Sequence, residues 1–325
     1  MPPRVFITQP VADRAIQKLS DKADVVWNRD SSRVLPKADL LLAMKETEYL
    51  FCLLHDTVDA EVIAAGPNLK MIGCMGTGVG VDIDAATRRR IPVTVGGGAF
   101  VAEATADMTW AHILAVTRRV VEADRLVRAG GFPGSQSNHM LGRYVFGKTL
   151  GLIGAGRVGQ AVARRAGGFG MTILYHDPRR LSPEDEARFG ATLATMARVL
   201  AEADIVSVHA LYTPDTYHLI GARELARMKP TAYLINTSRG PVVDEDALVA
   251  ALREGRIAGA ALDVHEHEPR VNPALIPMEN VVLTPHMGSA VGELRDQMAL
   301  FVADNIIAAI EGRRPERLAN PSVYD

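Results

Sequence analysis

A chain of 325 residues exceeds what a single hydrophobic core serves, and at roughly 150 residues per domain it predicts two domains, each able to bury a core. With 48% hydrophobic and 23% charged residues, the composition is globular and excludes disordered, collagenous and coiled-coil chains. Thirty-six Lys and Arg against 38 Asp and Glu leave a formal net charge of -2, so no global field draws the chain to nucleic acid or to an anionic membrane. A small polar ligand suits it better.

From its first residues the chain runs directly into a strand-like segment at 5–7, without a signal-peptide core. No apolar run reaches the roughly 20 residues of a membrane span, which places the protein in the cytoplasm. Short apolar runs then alternate with helix-length amphipathic segments, the signature of α/β units around a parallel sheet. Strands are predicted at 5–7, 25–27, 50–54, 70–73 and 92–95, with helical patterns such as 60–65 between them. Cys52 and Cys74 lie inside two of these runs and read as small hydrophobes; their spacing builds neither a disulfide framework nor a zinc site. Residues 101–128 form one long helical pattern, broken by Gly130-Gly131-Phe132-Pro133-Gly134, which bridges to a second α/β run. Its strands are predicted at 149–153, 172–175, 205–208, 233–235, 260–264 and 281–283, and the acidic first turn of a helix at 244–253 suits the helix dipole. A last helical pattern covers 293–310, and periodicity leaves open which domain it joins.

Gly154-Ala155-Gly156-Arg157-Val158-Gly159 follows a predicted strand and opens a helix, and Asp177 ends the next strand about 20 residues later. This is a complete dinucleotide-binding fingerprint. Gly154 permits the turn, Gly156 lets backbone approach a pyrophosphate, Gly159 allows close helix packing, and the helix N-terminus supplies N–H groups. Asp177 would accept from ribose hydroxyls and repel a 2′-phosphate, favouring NAD over NADP, although Arg179 and Arg180 nearby could greet such a phosphate.

Hydride transfer to a nicotinamide asks for a group to hold an anionic substrate, an acid–base group, and a residue to orient it. Predicted strand ends in the second half offer all three. Arg239 follows one buried strand in Asn236-Thr237-Ser238-Arg239-Gly240, and its planar fork could clamp a carboxylate. Glu268 follows a second strand and His286 a third, and a carboxylate beside an imidazole stabilises the imidazolium.

These blocks, together with Pro241-Val242-Val243-Asp244, Ala261-Leu262-Asp263-Val264 and Leu283-Thr284-Pro285-His286-Met287-Gly288-Ser289, closely resemble the D-isomer-specific 2-hydroxyacid dehydrogenase family, of the glyoxylate/hydroxypyruvate reductase type. The resemblance covers nearly the whole chain. It implies two doubly wound parallel-sheet domains, a Rossmann NAD-binding domain (100–288) inserted into a discontinuous flavodoxin-like substrate domain (1–99 and 289–325), so that the last helix returns to the first domain. It further implies Arg239, Glu268 and His286 as catalytic residues, and Leu54 with the backbone of Val79 and Gly80 at the substrate. Cofactor contacts are implied at Gly154, Gly156, Arg157, Val158, Gly159, Asp177, His209, Ala210, Thr216, Thr237, Asp263, His286 and Gly288, with Asp263 at the nicotinamide carboxamide. Homodimerisation through the cofactor domain is implied as well.

The chain departs from the common family pattern in four places. The loop around Asp82 is shorter, His265 takes a position that is often aromatic, Leu211 replaces a usual proline, and no tryptophan stands near Ser135. The segment after His286 is also similar to phosphite dehydrogenase, but Met75-Gly76-Thr77 lacks the lysine that enzyme uses for its anion. An NAD-sensing binding role, as in the C-terminal-binding-protein corepressors that share the fold, is the alternative from outside enzymology. His265-Glu266-His267-Glu268 could put alternate side chains on a metal, yet no third or fourth ligand is identifiable, so no metal is expected. The clusters Arg88-Arg89-Arg90, Arg118-Arg119 and Arg313-Arg314 lack interleaved aromatics and read as solvated helix faces.

Overall fold

The computed structural model describes residues 2–97 and 99–325. The chain divides into two compact units, Met1–Phe100 with Ala290–Asp325, and Val101–Ser289. Each is built on a wholly parallel sheet.

In the first unit, β1 (Arg4–Ile7), β2 (Asp24–Trp27), β3 (Tyr49–Leu53), β4 (Met71–Met75) and β5 (Val93–Val95) pair in the order β2-β1-β3-β4-β5. The central strands β3 and β4 are buried along almost their whole length, as unbroken apolar runs covered on both faces must be. Helix Gly292–Ile310 lies against β4, where a Cβ on Gly73 would come within 2.6 Å of Val302. The C-terminal segment is then tied to β5 by a buried amide. Asn320 donates to the Ile91 carbonyl (2.9 Å) and to Thr87 (3.0 Å) while accepting from the Val93 N–H (2.8 Å).

In the second unit, β6 (Thr149–Ile153), β7 (Thr172–His176), β8 (Ala191–Leu193), β9 (Ile205–Val208), β10 (Tyr233–Asn236), β11 (Gly259–Leu262) and β12 (Val281–Leu283) pair in the order β12-β11-β10-β9-β6-β7-β8. The order reverses between β6 and β9, and ligands of open α/β sheets bind beyond the carboxyl ends of strands at such a switch point. The two orders are the flavodoxin-like and Rossmann arrangements, so the fold class expected from the sequence holds.

Two local expectations need correction. Strand β8 was not predicted; three residues between two helices carry too little periodicity to register. The long helix expected at 101–128 is two helices, Ala99–Thr117 and Val120–Arg128, separated by Arg119 at φ +55°. The backbone of Gly142 and Arg143 packs across the first helix end, where the Thr117 carbonyl accepts from the Arg143 N–H (2.8 Å) in place of a helical partner.

Because Asn320 satisfies backbone groups that are otherwise buried, Asn320→Ala is expected to lower stability by roughly 2–4 kcal/mol in urea unfolding. An unchanged midpoint would mean that this anchor carries no stability.

Candidate functional site

The turn after β6 is made by glycines that cannot be replaced without moving backbone. Gly154 has φ +98°, and a Cβ there would sit 2.6 Å from the His209 carbonyl carbon. A Cβ on Gly159 would overlap the Gly154 carbonyl oxygen, so the helix Arg157–Ala166 starts hard against the strand end. At Gly156, the N-cap, a Cβ would meet nothing within 4 Å, and no side chain caps the helix. Here the backbone N–H groups of Arg157 and Val158 open a helix toward unfilled space, the cradle that a pyrophosphate requires. The residues present therefore fit a dinucleotide.

Asp177 follows β7 and is folded back on this turn, its Oδ2 accepting from the Ala155 N–H and its Oδ1 from the Arg179 N–H, both at 2.8 Å. Arg180 is committed elsewhere, forming two bonds to Glu186 at 2.8 and 3.0 Å. On the other side of the turn, His209 Nε2 lies 2.8 Å from the Ser207 hydroxyl, and burial pulls the pKa of the imidazole down to about 3. Ala210 packs beside it against Gly154. The Thr216 hydroxyl is held within its own loop, donating to the Leu211 carbonyl (2.6 Å) and accepting from the Thr213 N–H (2.7 Å).

Three neighbouring strands, β10, β11 and β12, present Arg239, Glu268 and His286 from the loops at their carboxyl ends. After β10, the Asn236 side chain accepts from the Ser238 N–H (3.0 Å) and donates to the Arg239 carbonyl (3.0 Å), closing a tight loop. Gly240 brings that loop into backbone contact with the His265 carbonyl, leaving no room for a Cβ. Thr237 is buried on the Thr109 hydroxyl at 2.8 Å. The Arg239 guanidinium is half-buried; burial lowers its pKa, and the field of the nearby Glu268 carboxylate opposes that lowering. Among the described residues no carboxylate lies within ion-pair distance of it, and one nitrogen of the fork donates to the Ser238 carbonyl (2.7 Å), so an anionic ligand would meet a partly desolvated guanidinium without a counter-charge.

Glu268 bridges two loops, taking the His265 N–H on Oε1 (3.0 Å) and holding His286 Nδ1 on Oε2 (2.8 Å). His286 itself has φ +52°. Its turn is clamped by Asp263 at the end of β11. The buried carboxylate accepts from the Thr284 hydroxyl (2.5 Å), the Met287 N–H (2.8 Å) and the Gly288 N–H (2.7 Å), while the Asp263 carbonyl takes the His286 N–H (2.7 Å). Asp263, expected at the nicotinamide carboxamide, thus uses both carboxylate oxygens to shape the His286 turn. Within the His265–Glu268 segment the side chains do not converge: His265 is buried on the Thr284 carbonyl (3.0 Å), His267 is largely exposed, and Glu266 pairs with His218 (2.7 Å).

The remaining predicted positions belong to the first unit. Leu54 follows β3. Val79 is 70% exposed in the loop after β4, and Gly80 is pressed on the Asp56 carbonyl while its own carbonyl accepts from Val58 (2.8 Å). Asp82 then caps the helix Ile83–Arg88 through the Ala85 N–H (2.8 Å). Sequence reasoning missed His112, which reaches the Thr284 hydroxyl at 2.9 Å from the middle of helix Ala99–Thr117. The one available signal was an ionisable residue in the otherwise apolar run Trp110-Ala111-His112-Ile113-Leu114.

A family profile described as D-isomer specific 2-hydroxyacid dehydrogenase, NAD binding domain, matches residues 110–288. A glyoxylate reductase of Thermococcus litoralis is 44% identical over 328 residues, covering 99% of this chain and 98% of its own. Among solved structures, the TT0316 protein of Thermus thermophilus is 40% identical with a TM-score of 0.89, over 97% of this chain and 99% of its own. The NADPH-dependent glyoxylate/hydroxypyruvate reductase of Sinorhizobium meliloti, in complex with citrate, is 30% identical with a TM-score of 0.82, over 98% and 97%.

Burial also sets how this unit responds to acid. It lowers the pKa of His112 from 6.5 to about 4 and that of His209 to about 3. Between these values and 6.5 the unfolded chain binds the protons that the folded chain refuses, so stability rises with pH, by up to about 1.4 kcal/mol per unit for each histidine. The thermal midpoint should fall as pH drops from about 6.5 to about 4.5, and His209→Gln should flatten that fall. An identical slope in the variant would contradict the assignment.

Proposed function

The chain belongs to the D-isomer-specific 2-hydroxyacid dehydrogenase family, and from this we propose that it reduces glyoxylate- or hydroxypyruvate-type 2-oxo acids with NADH and runs the reverse oxidation. The product is of D configuration wherever the hydroxyl-bearing carbon is a stereocentre. The observation that carries this reading is the Glu268–His286 pair at 2.8 Å, joining the loops after β11 and β12, with an arginine that has no carboxylate partner in the loop after the neighbouring β10.

Arg239 binds the substrate carboxylate and polarises the adjacent carbonyl, its planar fork matching both oxygens. Glu268 fixes the His286 ring through Nδ1–H, so proton exchange with substrate falls to Nε2. When bound, the nicotinamide ring supplies the hydride for reduction and accepts it for oxidation. In reduction His286 gives its Nε2 proton to the carbonyl oxygen and is left neutral, with Nδ1–H still on Glu268; in oxidation it takes the hydroxyl proton back. Gly156, Arg157 and Val158 would hold the pyrophosphate through backbone, in the turn that Gly154 and the close packing of Gly159 make possible. His286→Ala is expected to lower kcat by roughly 10²–10⁴-fold with the Kd for NADH kept. Arg239→Ala should raise KM for the 2-oxo acid by roughly 10–100-fold. Turnover near normal in the histidine variant would remove the mechanism.

Preference for NAD over NADP rests on Asp177, held toward the glycine turn as an anion, and on Arg180, whose charge is already met by Glu186. Steady-state kinetics should give a kcat/KM for NADH at least about tenfold above that for NADPH, and Asp177→Ala should narrow the gap by roughly that factor, the size of one charge-assisted contact. A wild-type preference for NADPH would contradict this assignment.

We also assign a homodimer to the cofactor-binding unit. Its segment from 120 to 146 exposes Val127, Phe132, Leu141, Tyr144 and Phe146, the last two at 80% and 72%, and large apolar side chains exposed together in one segment suit burial against a second copy. Light scattering should give twice the chain mass, and Phe132→Glu combined with Leu141→Glu should give the single chain.

A further inference from the structure

Thr284 stands two residues ahead of His286 and is gripped from two sides by histidines. Its carbonyl accepts from His286 N–H (3.1 Å) and lies 3.0 Å from His265 Nε2; its hydroxyl donates to Asp263 (2.5 Å) and lies 2.9 Å from His112 Nε2. Proton accounting decides both contacts. A carbonyl has no proton, so His265 Nε2 carries one. The single hydroxyl proton goes to the Asp263 carboxylate, so His112 Nε2 must carry one as well. The opposite nitrogens, Nδ1 of His112 and of His265, are buried with no hydrogen-bond partner, in side chains only 1% and 5% exposed. The carboxylate beside His265 Nδ1, Glu245 Oε1, is 3.9 Å away, beyond hydrogen-bond reach. A proton on either Nδ1 would be a buried donor without an acceptor, which sets both rings as neutral Nε2–H tautomers.

We propose that His112 and His265 are positioning residues for the reaction: as neutral Nε2–H tautomers they hold Thr284 from both sides and so fix the turn that presents His286. The inference rests on His286 being the acid–base group. His265 touches both members of the working pair, reaching Glu268 through its backbone N–H (3.0 Å) and the His286 turn through its ring. Any residue at 265 supplies the backbone contact, but only a side-chain donor supplies the second. His112 ties the same turn to helix Ala99–Thr117, 172 residues away in sequence. The turn needs such support because His286 sits at φ +52°, a conformation that non-glycine residues keep only where the surroundings over-determine it.

The test combines spectroscopy on the intact protein with kinetics. Long-range ¹H–¹⁵N spectra of the ¹⁵N-histidine-labelled chain at neutral pH should show the Nε2–H pattern for both residues, assigned by the signals that vanish in His112→Gln and His265→Gln. An Nδ1–H pattern at either residue overturns the proposal, and this measurement stands even where a variant fails to fold. His265→Phe keeps bulk but removes the donor, and should lower kcat by roughly five- to tenfold with the Kd for NADH unchanged. His265→Gln, whose amide nitrogen replaces Nε2, should recover kcat to within about twofold of wild type, since it restores the lost bond. Full kcat in His265→Phe, or a loss that Gln does not repair, overturns the positioning role. The combined variant His112→Leu with His265→Phe should lose less than the product of the single losses, because both act on Thr284; a simple product also counts against it. If His286→Ala keeps turnover, the reading of the site fails; if it abolishes turnover while His265→Phe is normal, only this inference fails.

Discussion

The buried carboxylate of Asp263 is the constraint on which the site turns. Placed at the end of β11 and 1% exposed, it collects one hydroxyl and two backbone N–H groups from the loop after β12. An ionised carboxylate removed from water must be satisfied by donors, and three charge-assisted bonds to one short segment leave that segment a single shape. The shape is unusual, with His286 left-handed, and it sets the imidazole where Glu268 meets it. The carboxylate thus acts on the imidazole's position through backbone geometry.

A second constraint is how closely backbones approach one another. Gly240 lies against the His265 carbonyl, Gly159 against Gly154, and Gly154 against His209, each too close for a Cβ. These contacts draw the Arg239 loop toward the Glu268 loop and seat the first turn of helix Arg157–Ala166 on the sheet. Parallel strands with ends in register make such approaches possible, because neighbouring loops leave the sheet on the same side. The glycine turn and the Glu268–His286 pair are therefore two results of one arrangement of strand ends within the second unit.

Much of this was legible in the sequence because it is local. Gly154, Gly156 and Gly159 announce themselves by spacing, Asp177 by its distance from them, and Arg239, Glu268 and His286 by following apolar runs that can only be strands. Other features were illegible for definite physical reasons. His112 lies in a run whose apolar periodicity conceals a buried imidazole, and its partner Thr284 is 172 residues away. The end of the first long helix at Thr117 is imposed by residues 142 and 143, so no cap or breaker marks it in the sequence. Arg180 is free to meet a phosphate by sequence position alone, but Glu186, on the next helix, holds it.

By itself the sequence determined the alternation of strands and helices, the parallel sheets this alternation requires, the glycine turn and the order of the three strand-end residues, since each follows from period, spacing and residue chemistry along a short stretch of chain. Only the tertiary structure decided where the helical pattern from 101 breaks, which arginines are already paired, and which imidazole nitrogens are buried without a partner. Those outcomes depend on burial and on donors and acceptors that are distant in sequence, and a hydrogen bond has no meaning until both of its partners have been brought out of water to the same place.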